Sequence, residues 1–86
     1  MKSANQALRI RLAQAMPAHL PPLAERRRLR TAARLSEAAL GGLIGVSGVS
    51  IARWELGRRE PEGDLRSRYS EVLTLIAEQL GEEMAR

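Results

Sequence analysis

The chain has 86 residues, of which 44% are hydrophobic and none is cysteine, and its formal net charge at pH 7 is +4. This length and hydrophobic content fit one small folded domain, and the absence of cysteine excludes disulfides, thiolate metal sites and thiol catalysis. No apolar run is long enough to span a bilayer and no signal-peptide pattern opens the chain, so we expect a cytoplasmic protein.

The charge is divided unevenly along the chain. Residues 1–59 contain eleven Lys and Arg against three acids, a net charge of +8, whereas residues 60–86 contain three Arg against seven acids, a net charge of −4. A basic surface attracts the phosphates of nucleic acids whatever their base sequence. Charge alone fits a merely solvated surface equally well.

The first predicted element is an amphipathic helix over residues 3–16. One face of this helix is apolar: Ala4, Leu8, Leu12 and Ala15. Pro17 ends the helix, and Pro21-Pro22 forms a stiff joint before the next element. We therefore divide the chain into an N-terminal unit, residues 1–20, and a domain over residues 21–86.

Four more helices are predicted in that domain. Their expected limits are Pro22 to Arg34, Glu37 to Ile44, Gly48 to Leu56, and Gly63-Asp64 to about Leu80. The expected side-chain caps are Ser36, Ser47 and Asp64, and the expected glycine stops are Gly45 and Gly57. No strand pattern appears, so we expect an all-α fold, a compact bundle of about five helices.

The segment from Ser36 to Gly57 is the most informative part of the sequence. It predicts two short helices joined by the tight turn Gly45-Val46-Ser47. The apolar residues that the two helices can share are Leu40, Ile44, Val46 and Ile51. This is the layout of a helix-turn-helix, whose second helix can enter the major groove of DNA.

From about Leu23 to Leu73 the sequence resembles the Cro/repressor-type, or xenobiotic-response-element (Xre), helix-turn-helix family. The matching motifs are Leu29-Arg30, Leu35-Ser36-x-x-x-Leu40, Gly45-Val46-Ser47-x-x-x-Ile51 and Arg53-Trp54-Glu55-x-Gly57-Arg58-Arg59-x-Pro61. The resemblance implies a lambda-repressor-like fold and a sequence-specific regulator of transcription that binds double-stranded DNA. A repressor that binds an inverted repeat on the nucleoid as a homodimer is the simplest version.

The resemblance also implies roles for individual residues. The expected base-reading residues are Gly48, Val49, Ser50 and Arg53, and the expected phosphate-binding residues are Ser36, Ser47, Arg58 and Arg59. Arg53 can make a bidentate contact with guanine. Arg30 and Glu55 are expected to form a structural ion pair, and Trp54 is expected to pack in the core.

Several residues depart from the pattern of the family. Glu37 stands where glutamine is frequent, Arg34 where glycine is frequent, and Arg26 where an aliphatic residue is expected. Gly41-Gly42 weakens its helix, although Gly41 can allow the two helices to approach closely. Leu43 stands at a usually polar position, so we expect it to be covered, most simply by the N-terminal helix.

Other interpretations remain open at this stage. The run Arg26-Arg27-Arg28 can contact DNA or form a solvated helix face. The homodimer can use the last helix or the N-terminal helix, which is also a possible site for a protein partner. The alternative function is an antitoxin or adapter whose main partner is another protein. The sequence shows no metal-ligand spacing and no paired catalytic acids, so we expect no enzyme activity, metal or cofactor.

Overall fold

The computed structural model describes residues 6–8, 11 and 18–82, which are helical apart from the connecting loops. Four helices follow one another along the chain: α1, Leu23–Ala32; α2, Glu37–Ile44; α3, Gly48–Leu56; and α4, Gly63–Gln79. Residues 6–8 and 11 are also helical, and the rest of the helix expected over residues 3–16 lies outside the described residues. The described residues contain no strand, which confirms the all-α class.

The helices enclose a single core of aliphatic residues around two aromatic rings. Helix α3 packs on α1 and α2, and α4 packs on the same two helices. The core residues are Leu20, Leu29, Leu40, Ile44, Ile51, Trp54, Tyr69, Leu73, Ile76 and Ala77. The rings of Trp54 and Tyr69 lie 4.9 Å apart, centroid to centroid, at an angle of 42°, and connect α3 with α4.

The short helices α2 and α3 have the ends that the sequence predicts. The Ser36 hydroxyl accepts a hydrogen bond from the Ala39 N–H at 3.0 Å, and the Ser47 hydroxyl accepts one from the Ser50 N–H at 3.3 Å. Gly45 ends α2 at φ 99°, a left-handed conformation that costs glycine little. The turn between α2 and α3 is therefore only three residues long.

Helix α4 begins differently from the prediction. Glu62 is the extended residue that precedes the helix, with φ −131° and ψ 161°, and it makes no side-chain cap. Asp64 lies inside the first turn, so its expected role as the cap was wrong. Its carboxylate lies near the positive end of the helix dipole, where a negative charge is favourable.

Helix α1 also ends two residues earlier than expected, at Ala32. Arg34 has φ 59°, in the left-handed region, and is the only residue other than glycine with a positive φ among those described. Its N–H donates to the Thr31 carbonyl at 2.9 Å, and the N–H of Leu35 donates to the Arg30 carbonyl at 3.1 Å, which closes the helix. A side chain at position 34 is therefore strained by its Cβ atom.

We predict that Arg34→Gly raises the free energy of unfolding by up to about 1 kcal/mol. Removal of the Cβ atom relieves roughly 1–2 kcal/mol of strain in the left-handed conformation. The greater conformational freedom of glycine in the unfolded chain offsets roughly 0.5–1 kcal/mol of this gain. Urea unfolding followed by circular dichroism measures the change. Arg34→Ala is the control, because it keeps the Cβ atom and should give no gain. A loss of stability in Arg34→Gly would contradict the assignment of strain.

The two adjacent glycines of α2 have different surroundings. A Cβ atom at Gly41 would lie 2.5 Å from the carbonyl oxygen of Val46 and 3.1 Å from the Ser47 carbonyl group. A Cβ atom at Gly42 would have no atom within 4 Å. Gly41 therefore allows the turn to fold back closely onto α2, and nothing within the described residues explains Gly42.

These neighbours form a matched pair for measurement. Gly41→Ala should lower the free energy of unfolding by about 1–3 kcal/mol, the usual cost of overpacking. Gly42→Ala should raise it by about 0.5–1 kcal/mol, because alanine is the better helix former at an open position. Chemical unfolding of both variants tests this, and equal effects of the two substitutions would show that the turn does not press on α2.

Candidate nucleic-acid interface

The position of α3 is fixed first by an ion pair with α1. The Nε of Arg30 lies 2.6 Å from Oε2 of Glu55, and its Nη2 lies 3.0 Å from Oε1. The third nitrogen of Arg30, Nη1, donates to the Leu35 carbonyl at 2.9 Å. Both side chains are buried, so the pair is screened little by solvent. It joins α1, α3 and the loop before α2 in one arrangement.

A second buried arginine of α1 holds the end of α3 and the loop that follows it. Arg26 donates from Nε to the Pro21 carbonyl at 2.8 Å and from Nη1 to the Trp54 carbonyl at 3.1 Å. Its Nη1 also lies 2.6 Å from Oε1 of Glu60, which follows α3, and this guanidinium holds the pKa of the Glu60 carboxyl below its usual value. The burial of Arg26 removes it as a contact for DNA.

This role of Arg26 was not predicted from the sequence. Its only signal in the sequence was an arginine at a position where an aliphatic residue was expected. Glu60, its partner, lies 34 residues further along the chain. No local spacing connects the two residues, since the fold alone brings them together.

The aromatic residues serve the core rather than the surface. Trp54 is buried against Tyr69, which confirms that it packs in the core. The Tyr69 hydroxyl is also buried and has no hydrogen-bond partner among the described residues, and burial raises the pKa of this phenol. Neither ring is available for stacking on a base.

The outer face of α3 carries three of the four residues expected to read bases. Val49 is 59% exposed, Arg53 is exposed, and Ser50 is half-buried with its hydroxyl 3.4 Å from that of Ser47. Gly48 differs, because a Cβ atom there would lie 2.9 Å from the Ala38 nitrogen. Position 48 therefore faces α2, and its glycine permits close approach of the two helices rather than an outward contact.

The residues expected to bind phosphate surround this face. Ser36 and Ser47 cap α2 and α3, so the free N–H groups of two helix starts lie beside their hydroxyls. Arg58 and Arg59 are exposed just beyond the end of α3. Ser50, Arg53 and Arg59 line one open groove of about 490 Å³, together with acidic residues of the loop before α4.

The arginines of the described residues fall into paired and unpaired sets. Those with a carboxylate partner are Arg26, Arg28, Arg30 and Arg66. Those around α3 that form no ion pair with a described residue are Arg27, Arg53, Arg58 and Arg59. The second set places positive charge without an ion-pair partner on the side of the molecule that presents α3, where Glu62 lines the same groove as Arg53 and Arg59.

A second groove lies between α1 and α3, and its lining is mixed, with four apolar residues and five polar or charged ones, among them Arg27. It has a volume of about 720 Å³, and its lining includes Leu23, Ala24, Ala52 and Leu56, with the Arg30–Glu55 pair also contributing. Leu56 is 61% exposed. Glu37 lies on the rim of this groove, close to the start of α2. The surface around α3 thus combines exposed leucine with charged residues.

Leu43 was expected to be covered, but it is 63% exposed on α2. No residue that the structure describes covers it. The N-terminal residues expected to do so lie mainly outside the described part of the chain, and Leu8, which is described, is itself exposed. The expected cover is therefore not tested by the described residues, among which the core closes without this side chain.

Comparison of the sequence with models of protein families, with curated proteins and with solved structures found no match. In residues 6–8, 11 and 18–82, no helix is long and apolar enough to cross a membrane. Within the same residues, no group of three or more His, Asp or Glu is arranged to hold a metal ion.

We predict that Glu55→Gln lowers the free energy of unfolding by about 3–5 kcal/mol, since it leaves the Arg30 charge buried and unpaired. Glu62→Gln, at an exposed carboxylate without an ion pair among the described residues, is the matched control and should change stability by less than about 0.5 kcal/mol. Thermal and urea unfolding provide both values. A similar small change in the two variants would show that the ion pair does not hold α3.

Proposed function

We propose that the protein is a sequence-specific transcription regulator that binds double-stranded DNA, most simply a repressor, with α2 and α3 acting as a helix-turn-helix. The observation that supports this best is the outward position of Arg53 on a helix whose C-terminal end is held by two buried arginines of α1, Arg26 and Arg30. A rigidly held helix can present a side chain to a base edge in a fixed geometry.

The dimensions and charge of α3 suit the major groove. An α-helix with its side chains is about 10–12 Å across, which fits a groove about 12 Å wide, and the nine residues of α3 give it a length of about 13 Å. Arg58 and Arg59 contact flanking phosphates in this proposal, and the starts of α2 and α3 offer N–H groups to others. Such contacts set the position and the affinity of the protein but do not distinguish one base sequence from another.

Base reading in this proposal rests mainly on two exposed side chains. Arg53 donates to O6 and N7 of a guanine, and Val49 contacts the methyl group of a neighbouring thymine. Ser50 is a weaker reader, because its hydroxyl also lies next to that of Ser47. A half-site with a guanine beside one or more thymines is therefore expected.

A single α3 reads only one half-site, so we propose that the protein binds an inverted repeat as a homodimer. Two copies of α3 then enter successive major grooves about 34 Å apart on one side of the duplex. In this proposal the protein acts in the cytoplasm, on the DNA of the nucleoid.

A second candidate function is the binding of another protein, as an antitoxin or adapter does. The specific observation in its favour is that Leu23 and Leu56, which line the groove between α1 and α3, are both exposed. Exposed apolar surface of this kind is common at protein interfaces. DNA binding has the stronger support, because the unpaired arginines surround the same helix.

The deciding experiment selects bound sequences from a pool of random DNA duplexes at two salt concentrations. The wild-type protein should enrich an inverted repeat. Arg53→Ala should lose about tenfold to hundredfold of the preference for the guanine in each half-site. Arg58→Ala and Arg59→Ala should weaken binding to all sequences alike and reduce the dependence of log affinity on log salt by about two units each, one for each copy in the dimer.

Arg28→Ala is the matched control, because it removes one positive charge that is already paired with Glu25 and Glu82. It should change neither sequence preference nor salt dependence appreciably. Binding that is blind to sequence and disappears at moderate salt would overturn the proposal. The protein-binding function would then take first place.

A further inference from the structure

The groove beside α3 contains a carboxylate that stabilises nothing within the described chain. Glu62 lines this groove of about 490 Å³ together with Arg53 and Arg59. Its side chain is exposed, does not cap α4 and forms no ion pair with a described residue. The other acid of the groove, Glu60, is held by two arginines. The carboxylate of Glu62 is therefore the one in this groove that is free to accept a hydrogen bond from a bound molecule.

A free carboxylate is an unfavourable neighbour for the phosphates of DNA, because like charges repel. It is tolerated without loss of affinity only where its oxygens accept hydrogen bonds from the DNA. The phosphates and deoxyriboses within a duplex offer no N–H or O–H donor. In the major groove the donors are the amino groups of cytosine and adenine. The chemistry of Glu62 thus points to the amino group of a base.

Arg53 and Glu62 together match the major-groove edge of a single G·C pair. That edge presents two acceptors, O6 and N7 of guanine, beside one donor, the N4 amino group of cytosine. The guanidinium of Arg53 supplies N–H donors for the acceptors, and the carboxylate of Glu62 supplies an acceptor for the donor. An A·T pair differs, because its donor lies between two acceptors and is followed by the thymine methyl group.

We infer that Glu62 is a specificity-determining residue, whose carboxylate accepts a hydrogen bond from N4 of the cytosine that pairs with the guanine read by Arg53. This inference rests on the proposed DNA-reading function and adds a second side chain to the reading of that base pair. Because Glu62 precedes α4, the reading surface then extends beyond α3 to the loop that follows it. Arg59, in the same groove, offsets the charge of Glu62 toward the flanking phosphates.

A modified base tests this contact while the guanine stays unchanged. Pyrimidinone is cytosine without its N4 amino group, and it replaces the cytosine opposite that guanine in one half-site of the selected DNA. Affinities are measured by fluorescence anisotropy with the full chain. The wild-type protein should lose about tenfold more affinity on this replacement than Glu62→Ala does, since only the wild type loses a hydrogen bond to a charged group. Effects of the modified base on the duplex are common to both proteins and cancel.

The direction of the change in affinity gives a second readout. Glu62→Ala should bind the selected site at least about tenfold more weakly than the wild type, because each half-site loses a hydrogen bond. The same variant should bind a duplex without the site at least as tightly as the wild type, because one negative charge has been removed. A carboxylate that only repels phosphate would predict tighter binding to both duplexes.

Asp64→Ala is the matched control. Asp64 is an exposed carboxylate two positions further along the chain and does not line the groove. Its removal should shift the affinities for both duplexes in the same direction and leave the response to pyrimidinone as in the wild type. Circular dichroism of each variant establishes that the helices are retained.

Equal losses of affinity by the wild type and Glu62→Ala on pyrimidinone, or tighter binding of Glu62→Ala to both duplexes, would overturn the inference. Selection of an inverted repeat whose guanine preference is lost in Arg53→Ala would leave the proposed function standing in that case. A wild-type protein that selects no sequence would overturn both, so the two failures are distinguishable.

Discussion

The bidentate ion pair between Arg30 and Glu55 is the interaction on which the candidate site depends. It joins α1 to α3, and its remaining nitrogen holds the loop before α2 through the Leu35 carbonyl. Removal of one partner would leave a buried charge without compensation, which is among the costlier changes in a small protein. Arg26 adds hydrogen bonds at the end of α3, to the Trp54 carbonyl and to Glu60. Two arginines thereby fix the direction in which α3 presents its outer face.

Two glycines, which have no side chain, matter as much as the ion pairs for the geometry of α2 and α3. Gly41 allows the turn to press against α2, and Gly48 allows the start of α3 to approach the backbone of Ala38. The core residues Leu40 and Ile51 can then pack across a short distance and become fully buried. A core of so few aliphatic residues needs such close packing, because an 86-residue chain buries limited apolar surface. The close packing of α2 on α3 therefore also sets the positions of the outer residues of α3.

The arginines divide into buried ones that form ion pairs and exposed ones that do not. The buried arginines on α1 are neutralised by carboxylates, whereas Arg53, Arg58 and Arg59 lie exposed without an ion pair among the described residues. The excess of positive charge in residues 1–59 was visible in the sequence. Its division into paired and unpaired arginines was not, since pairing depends on which residues the fold brings within about 4 Å.

The sequence by itself determined the features that depend on neighbours within about four residues: the helical class, the limits of α2 and α3, their serine caps and the left-handed glycine between them. Only the tertiary structure decided the role of Arg26, whose partners Trp54 and Glu60 are 28 and 34 residues away. It also decided that Gly48 faces α2 and that Leu43 stays exposed. Local hydrogen bonds and backbone preferences act within a turn and can be recognised from residue spacing. Burial and ion pairing depend on segments that approach one another only when the whole chain has folded.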